Sequence, residues 1–201
     1  MITLIHTAES HVPRFDGVAR EIGLDTPLQH VVREDWLARA QGEGDPTLGP
    51  EIIAVLRGLG GRMLCTCTTI LPWAEQAGAL RIDGPMADEA ARIGGRCLMA
   101  YCLDSTLEPS LAILRQSFAD HDKEPDIEPL DLTALWPLFM QGREAEFAQG
   151  VAGAVRDALT GRGDVDCVVL AQASMCAAAP LVGGAVPVLA SPQMALRALA
   201  G

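Results

Sequence analysis

Short apolar runs alternate with amphipathic segments along almost the whole chain. The runs are typical of buried strands, and the segments between them place apolar residues at helical spacing, as in Phe15, Val18 and Ile22. Strands that alternate with helices indicate an α/β fold with a mostly parallel sheet, because parallel neighbours need a crossover connection. We predict strands at residues 2–6, 28–32, 62–67, 97–102, 127–130, 165–171 and 186–189. We predict a loop at residues 41–47 and helices at residues 13–22, 50–59, 107–118, 143–159 and 192–199, with two more beginning at Asp35 and just after Cys67.

The second half of the sequence resembles the first. Residues 63–70 lie over residues 168–175, and residues 6–10 lie over residues 101–105, with offsets that drift as small insertions would make them. A diverged duplication predicts two pseudo-symmetric α/β halves that face each other across a cleft, whereas chance similarity between two βα units is the alternative. The predicted halves are residues 1–95 with 190–201, and residues 96–189.

Composition excludes several classes of protein. The chain has 26 acidic and 15 basic residues in 201, a net charge of −11, and such an acidic excess repels nucleic acid. An apolar content of 49 % is too high for a disordered chain, and no apolar run reaches the roughly 18 residues of a membrane span. The amino terminus lacks the pattern of a signal peptide, so the six cysteines indicate a reducing compartment, and we expect a cytoplasmic protein with no membrane partner.

Polar residues follow four of the predicted strands. Ligands bind beyond the carboxyl ends of strands in open parallel sheets, and hydroxyls with free N–H groups at a helix start suit carboxylates. The alternative is that these residues are ordinary helix caps, which need no ligand. We predict a site for a small carboxylate formed by His6 and Thr7, by Cys67, Thr68 and Thr69, by Ser105 and Thr106, and by Gln172 and Ser174.

Cys67 is the strongest candidate for a catalytic residue. A helix start just after it would favour the thiolate, which can act as an acid/base or as a nucleophile. Cys65 shares its face of the strand, but the pair lacks the spacer and the nearby ligands of a zinc site, so we predict no metal. A redox protein that uses both thiols is a minor alternative. The glycines at 58–61 precede a strand instead of following one, so we also predict no dinucleotide and no other cofactor.

With these residues in place, the sequence resembles the aspartate/glutamate racemase superfamily, which includes hydantoin racemases, maleate isomerases and arylmalonate decarboxylases. The resemblance is strongest at residues 2–7, 64–69, 105–109 and 168–175, with 186–192 behind them. It implies two α/β halves and cofactor-independent chemistry, with one cysteine from each half flanking the substrate carbon. The turn at Cys67 matches the first cysteine motif of the family, with Thr68 in the place usually held by Asn or Ser.

The second cysteine motif departs from the family pattern. Gln172 stands at that position, and a carboxamide does not exchange protons near neutral pH. Cys176 is one helical turn further on and could substitute only if the turn were displaced, while Ser174 is too weak an acid to serve unaided. A single thiol suits decarboxylation of an activated diacid, or isomerisation through a covalent thiol adduct.

We therefore expect a racemase/isomerase/lyase-type enzyme that acts on a small carboxylate through Cys67. In this hypothesis the hydroxyls of the two turns hold carboxylate oxygens, His6 and Thr7 form the cleft wall, and Gln172 lies across the cleft. The alternative is a catalytically silent protein that binds a small carboxylate in the same fold. A homodimer is left open by the sequence.

Overall fold

The computed structural model describes residues 1–40 and 45–201, so residues 41–44 of the predicted loop lie outside the described residues. The chain divides into two compact units, which are residues Met1–Ile82 with Ala195–Gly201, and residues Asp83–Met194. Residues 83–95 and residues 190–194, which were predicted to belong to the first half, lie in the second unit. The helix within residues 83–95 buries Met86, Ala87 and Ala90 against the strands of that unit, which explains the first difference.

The first unit is a four-stranded sheet flanked by helices. Its strands are all parallel, in the order β2-β1-β3-β4, so β1 and β3 are central. The strands are β1 (Ile2–His6), β2 (Leu28–Val32), β3 (Arg62–Cys65) and β4 (Leu80–Arg81). The helices are α1 (His11–Glu21), α2 (Glu34–Ala40), α3 (Leu48–Leu59) and α4 (Leu71–Gln76).

The second unit repeats this arrangement. Its parallel strands have the order β6-β5-β7-β8, so β5 and β7 hold the places of β1 and β3. The strands are β5 (Arg96–Tyr101), β6 (Asp126–Asp131), β7 (Cys167–Leu170) and β8 (Val188–Ala190). The helices are α5 (Gly84–Ile93), α6 (Asp104–Asp120), α7 (Trp136–Met140), α8 (Glu144–Leu159) and α9 (Ala179–Val182), with 3-10 turns at Thr133–Leu135 and Ala173–Ala178. The last helix, α10 (Ser191–Ala200), begins in the second unit and continues from Ala195 in the first.

The two sheets correspond beyond their strand order. Just after β3, the Thr66 N–H donates to the carbonyl of Ile5 at 3.0 Å, and just after β7, the Ala171 N–H donates to the carbonyl of Ala100 at 3.0 Å. The prediction of two parallel-sheet α/β halves is therefore confirmed. Apolar residues fill both faces of the central strands, as parallel sheets covered by helices require. No helix among the described residues is long and apolar enough to cross a membrane.

Several element boundaries differ from the predicted ones. The strand predicted to end at Cys67 ends at Cys65, and the one predicted to end at Ala171 ends at Leu170. The sequence analysis also missed α5 and the short strand β4. A strand of two residues has too few positions to show alternation, and α5 begins with Gly84 and Pro85, which resemble a turn in sequence.

Gly95 has a backbone that alanine cannot adopt without strain. Its φ is +69°, and an added Cβ would collide with the carboxylate of Asp166, which accepts the Arg96 N–H at 2.8 Å. We expect Gly95→Ala to lower the free energy of unfolding by about 2–4 kcal/mol, from left-handed strain and the forced displacement of that carboxylate.

Gly142 provides the matched control, because its φ is +72° and no described atom lies within 4 Å of the added Cβ. Gly142→Ala should cost only the backbone strain, about 1–2 kcal/mol. Urea unfolding of the two variants separates the contributions, and equal losses would contradict the steric explanation.

Candidate functional site

A thiol and a carboxamide stand at corresponding places in the two sheets. Cys67 comes two residues after the end of β3, and Gln172 comes two residues after the end of β7. Because β3 and β7 have the same neighbours in their sheets, the alignment of the two halves is confirmed at these residues. Each side chain belongs to the carboxyl edge of its sheet, where parallel α/β sheets bind ligands.

Cys67 is nearly buried, with 9 % of its surface exposed, and it contacts the apolar cluster that includes Cys65 and Ile70. The Cys65 thiol donates to the carbonyl of Cys67 at 3.3 Å, which ties the turn to the end of β3. Thr68 and Thr69 follow in a turn and are exposed to solvent.

The prediction that a helix begins just after Cys67 is wrong. Helix α4 begins at Leu71, so residues 68–70 form a turn between the thiol and the helix. Pro72 explains the delay, because proline is accepted in the first turn of a helix and breaks one in its interior. The thiol is therefore not at a helix amino terminus, and the helix-dipole effect expected from the sequence does not apply.

His6 ends β1 and is completely buried. Its Nδ1 lies 2.8 Å from Thr66 Oγ1, and its Nε2 lies 2.9 Å from His30 Nδ1. Burial, together with the nearby His11 and His30, lowers the pKa of His6 to about 3, so the ring is neutral at physiological pH. Both ring nitrogens are engaged within the first unit. The neighbouring Thr7 is buried as well.

Sequence reasoning missed the partners of His6. It assigned no role to His11, His30 or Asp16. A usable signal was present in the predicted sheet, because His30 pairs in register with Leu4, and side chains at Leu4 and His6 point to the same face.

Gln172 is held by the backbone at the end of β5. Its Oε1 accepts the N–H of Cys102 at 2.6 Å. A backbone N–H can only donate, so the carboxamide oxygen must face it, and Nε2 with its two hydrogens points away. Burial and the carboxylate of Asp131 raise the pKa of the Cys102 thiol to about 12, so that thiol stays protonated at neutral pH.

The remaining predicted residues surround these strand ends. Ser174 and Cys176 lie in the 3-10 turn after Gln172, and the Ser174 hydroxyl is buried without a hydrogen-bond partner among the described residues. Ser105 and Thr106 lie in the first turn of α6, which begins three residues earlier than predicted. Within residues 1–40 and 45–201, no group of three or more His, Cys, Asp or Glu side chains is arranged to hold a metal ion.

Comparison with solved structures finds racemases. An aspartate racemase homologue from Pyrococcus horikoshii has a TM-score of 0.66 at 12 % identity, over 98 % of this chain and 96 % of that one. Allantoin racemase from Klebsiella pneumoniae has a TM-score of 0.63 at 18 % identity, over 98 % and 85 %. Picrophilus torridus aspartate racemase has a TM-score of 0.57 at 14 % identity, over 98 % and 91 %.

No protein-family model matches this sequence, and no curated protein matches it. The similarity to the solved racemases is therefore a similarity of structure. At sequence identities of 12–18 %, it establishes the fold. The fold implied by the resemblance to the aspartate/glutamate/hydantoin racemase superfamily is therefore confirmed.

Proposed function

We propose that this protein is a cofactor-independent racemase-type isomerase or lyase that acts on a small carboxylate, with Cys67 as its acid/base. The proposal depends above all on one observation, a thiol two residues beyond the central strand β3 in a fold shared with amino-acid and allantoin racemases. A thiol there can give or take a proton at carbon without help from a cofactor.

Hydroxyl side chains follow a central strand in each unit, and such groups suit a carboxylate ligand. Thr68 and Thr69 are exposed in the turn that follows Cys67. Ser105 and Thr106 lie in the first turn of α6 and add two further hydroxyls. The chain carries a net charge of −11, so an anion needs such local donors to offset the general repulsion.

Gln172 restricts the type of reaction that can be proposed. Inversion at carbon by two bases needs a proton-transferring group on each face, and a carboxamide offers hydrogen bonds without a transferable proton. The Cys102 N–H fixes the oxygen of Gln172, so the NH₂ group is the part of this side chain that can donate to a ligand at the end of β7. A one-thiol decarboxylation fits this arrangement: the thiol protonates the carbanion left by loss of CO₂, and the thiolate then regains a proton from solvent.

A catalytically silent binding protein is the second candidate. The same carboxamide favours it, because Gln172 stands where a two-base enzyme has its second thiol, and Cys67 is nearly buried. In that case the hydroxyls would bind the carboxylate and no bond would change.

The two candidates differ in deuterium oxide. Incubation with aspartate, glutamate, allantoin and substituted malonates, followed by NMR, should show deuterium entering at carbon or loss of CO₂ for at least one compound. Binding by calorimetry without either change would support the silent protein, and absence of both binding and chemistry would contradict both candidates.

A second thiol should change the stereochemical outcome. In Gln172→Cys, a proton-transferring group would stand at the strand end that corresponds to Cys67, so we expect inversion of a substrate that exchanges to increase by at least about tenfold. Gln172→Asn is the control, since it keeps a carboxamide and adds no acid. Chiral chromatography of the products measures the effect, and equal inversion in the two variants would contradict the one-thiol mechanism.

A further inference from the structure

Two cysteines of the second unit form a pair across neighbouring strands. Cys97 on β5 is in register with Cys167 on β7, and the two thiols are hydrogen-bonded to each other. Both residues are completely buried, and both belong to the apolar cluster that α5 and α6 cover. Because both side chains pack in that one cluster, they point to the same face of the sheet.

This thiol pair is not a consequence of the repeated topology. The corresponding register pair in the first unit, on β1 and β3, is Ile2 with Arg62, so the shared fold does not require two thiols at this place. The pair also lies at the opposite edge of the sheet from Gln172. Cys97 is the second residue of β5 and Cys167 is the first residue of β7, whereas Gln172 follows the carboxyl end of β7. The two thiols therefore have no part in the proposed reaction.

The spacing of parallel strands disfavours a disulfide between these thiols. Neighbouring strands lie about 4.7–4.9 Å apart, and the Cβ atoms of a parallel pair in register are separated by a similar distance. A disulfide needs Cβ atoms about 3.5–4.5 Å apart, so β5 and β7 would have to be drawn together inside a packed core. By contrast, two metal–thiolate bonds of about 2.3 Å place their sulfur atoms about 4.6 Å apart, which matches the strand spacing.

The other potential ligands in this cluster are also sulfur atoms. The cluster includes the thioethers of Met86 and Met99, and Met194 packs against it. Met99 lies two residues after Cys97 and therefore faces the same side of β5. Thiolate and thioether sulfurs are the ligands that select copper(I), whereas copper(II) prefers nitrogen and oxygen ligands.

Zinc does not fit this place. A structural zinc site takes four thiolate, imidazole or carboxylate ligands, and no group of three or more such side chains is arranged for a metal ion among the described residues. Two carboxylates act on Cys167, and both have partners of their own. Asp166 accepts the N–H of Arg96 at 2.8 Å. Glu89 pairs with Arg92 at 2.6 Å. The thiol pair therefore suits an ion that accepts two sulfur ligands.

We propose that Cys97 and Cys167 form a binding site for one copper(I) ion, which the two thiolates hold between β5 and β7. Both S–H bonds break and two Cu–S bonds form, so binding releases two protons to solvent. Copper keeps its +1 state throughout, and the bound group carries one negative charge. Neither cysteine belongs to the candidate functional site, so this proposal and the proposed function can fail separately.

The amino edge of the sheet gives the ion a route to the thiols. Cys167 begins β7 directly after Asp166, and Cys97 lies two residues after Gly95. Both Asp166 and Gly95 are exposed to solvent, so the buried pair lies one or two residues from the surface. The carboxylate of Asp166 beside this route attracts a cation.

Anaerobic titration of the full-length protein with copper(I) tests the proposal. The ion is supplied as its acetonitrile complex, with a chromophoric copper(I) chelator as competitor. We expect the wild type to bind one tight equivalent. Cys97→Ser and Cys167→Ser should each weaken it by at least about 100-fold, because loss of a residue that only supports a metal ligand already costs about 10–100-fold.

Cys65→Ser is the matched control for the titration. Cys65 is also completely buried on a central strand, but its register partners are Ile5 and Arg81, so no thiol faces it across the sheet. This variant should keep the tight equivalent with wild-type affinity. Retention of that equivalent in both Cys97→Ser and Cys167→Ser, or its loss in Cys65→Ser, would overturn the proposal.

Two measurements on the wild type still test the site if a buried serine prevents folding. X-ray absorption at the copper edge should show sulfur as the only neighbouring element, and nitrogen or oxygen ligands would contradict the site. Pulsed alkylation with peptide mass spectrometry should show that copper(I) slows the reaction of Cys97 and Cys167 but not that of the equally buried Cys65. Equal protection of all three thiols, or of none, would place the copper elsewhere.

Oxidation of the copper-free protein tests the strand spacing on which the site depends. Treatment with diamide should leave Cys97 and Cys167 open to alkylation after unfolding, because β5 and β7 hold them too far apart for a disulfide. A disulfide between these two residues, seen as linked peptides that have lost two hydrogen atoms, would contradict the geometric basis of the copper site.

Discussion

Cys67→Ala should lower the rate of deuterium exchange on an accepted carboxylate by about 10³-fold. Loss of a general acid/base typically costs about 10²–10⁴-fold, and the proposed chemistry has one thiol to lose. The rate is measured by NMR in deuterium oxide, with far-UV circular dichroism to show that the variant is folded. Binding of the carboxylate should persist, because the hydroxyls of Thr68 and Thr69 remain.

Cys65→Ser is the matched control for this experiment. Cys65 is completely buried in the same apolar cluster, and a serine hydroxyl can still donate to the carbonyl of Cys67, so this change should affect stability and leave the exchange rate within about twofold. Wild-type exchange in Cys67→Ala would contradict the proposed role of Cys67. Cys176, the thiol next along the chain from Gln172, would then be replaced in turn.

The free energy of unfolding should fall by about 2–3 kcal/mol between pH 7 and pH 4.5, mainly because of His6. Its pKa is lowered from 6.5 to about 3 in the folded protein, chiefly by burial. Below pH 6.5 the unfolded chain therefore binds a proton that the folded chain does not, which favours unfolding by about 1.4 kcal/mol per pH unit until the folded pKa is reached. Urea titrations at half-unit intervals give the slope.

His6→Gln removes this titration and should flatten the slope between pH 6.5 and pH 4.5, although the variant is less stable at every pH. His11, whose pKa is also lowered, accounts for the part that remains. The carboxylates of Asp45 and Asp164 have pKa values lowered to about 2, and they lose their stabilising interactions at pH values below this window. An equally steep slope in His6→Gln would contradict burial of a neutral His6.

The fold was largely predictable because strands and helices have different apolar periods. All the central strands were found, since each is an apolar run bounded by polar residues. The helix start after Cys67 was misplaced because the prediction considered the strand end and not Pro72, whose position in the first turn is a local and readable constraint. Helix α5 was missed because its apolar face consists of alanines and one methionine, which give a weak signal against the turn residues at its start.

The part of the candidate site that occupies equivalent positions in the two halves was predictable from the sequence. The alignment of the two halves paired Cys67 with Gln172, and the structure places both at the same distance beyond equivalent strands. The contact between Gln172 and Cys102 was not predictable, because it joins residues 70 positions apart through the pairing of β5 with β7.

By itself, the sequence determined the α/β class, the parallel strands, the duplicated topology and the thiol at a strand end, because periodicity and spacing are local properties of the chain. Only the tertiary structure decided the environment of His6. Its partners Thr66 and His30 lie 60 and 24 positions away, and Asp16 lies 14 positions from His30. Parallel pairing of β1 with β2 and β3, together with the packing of α1, brings these side chains into one hydrogen-bonded chain, and no local pattern encodes that meeting.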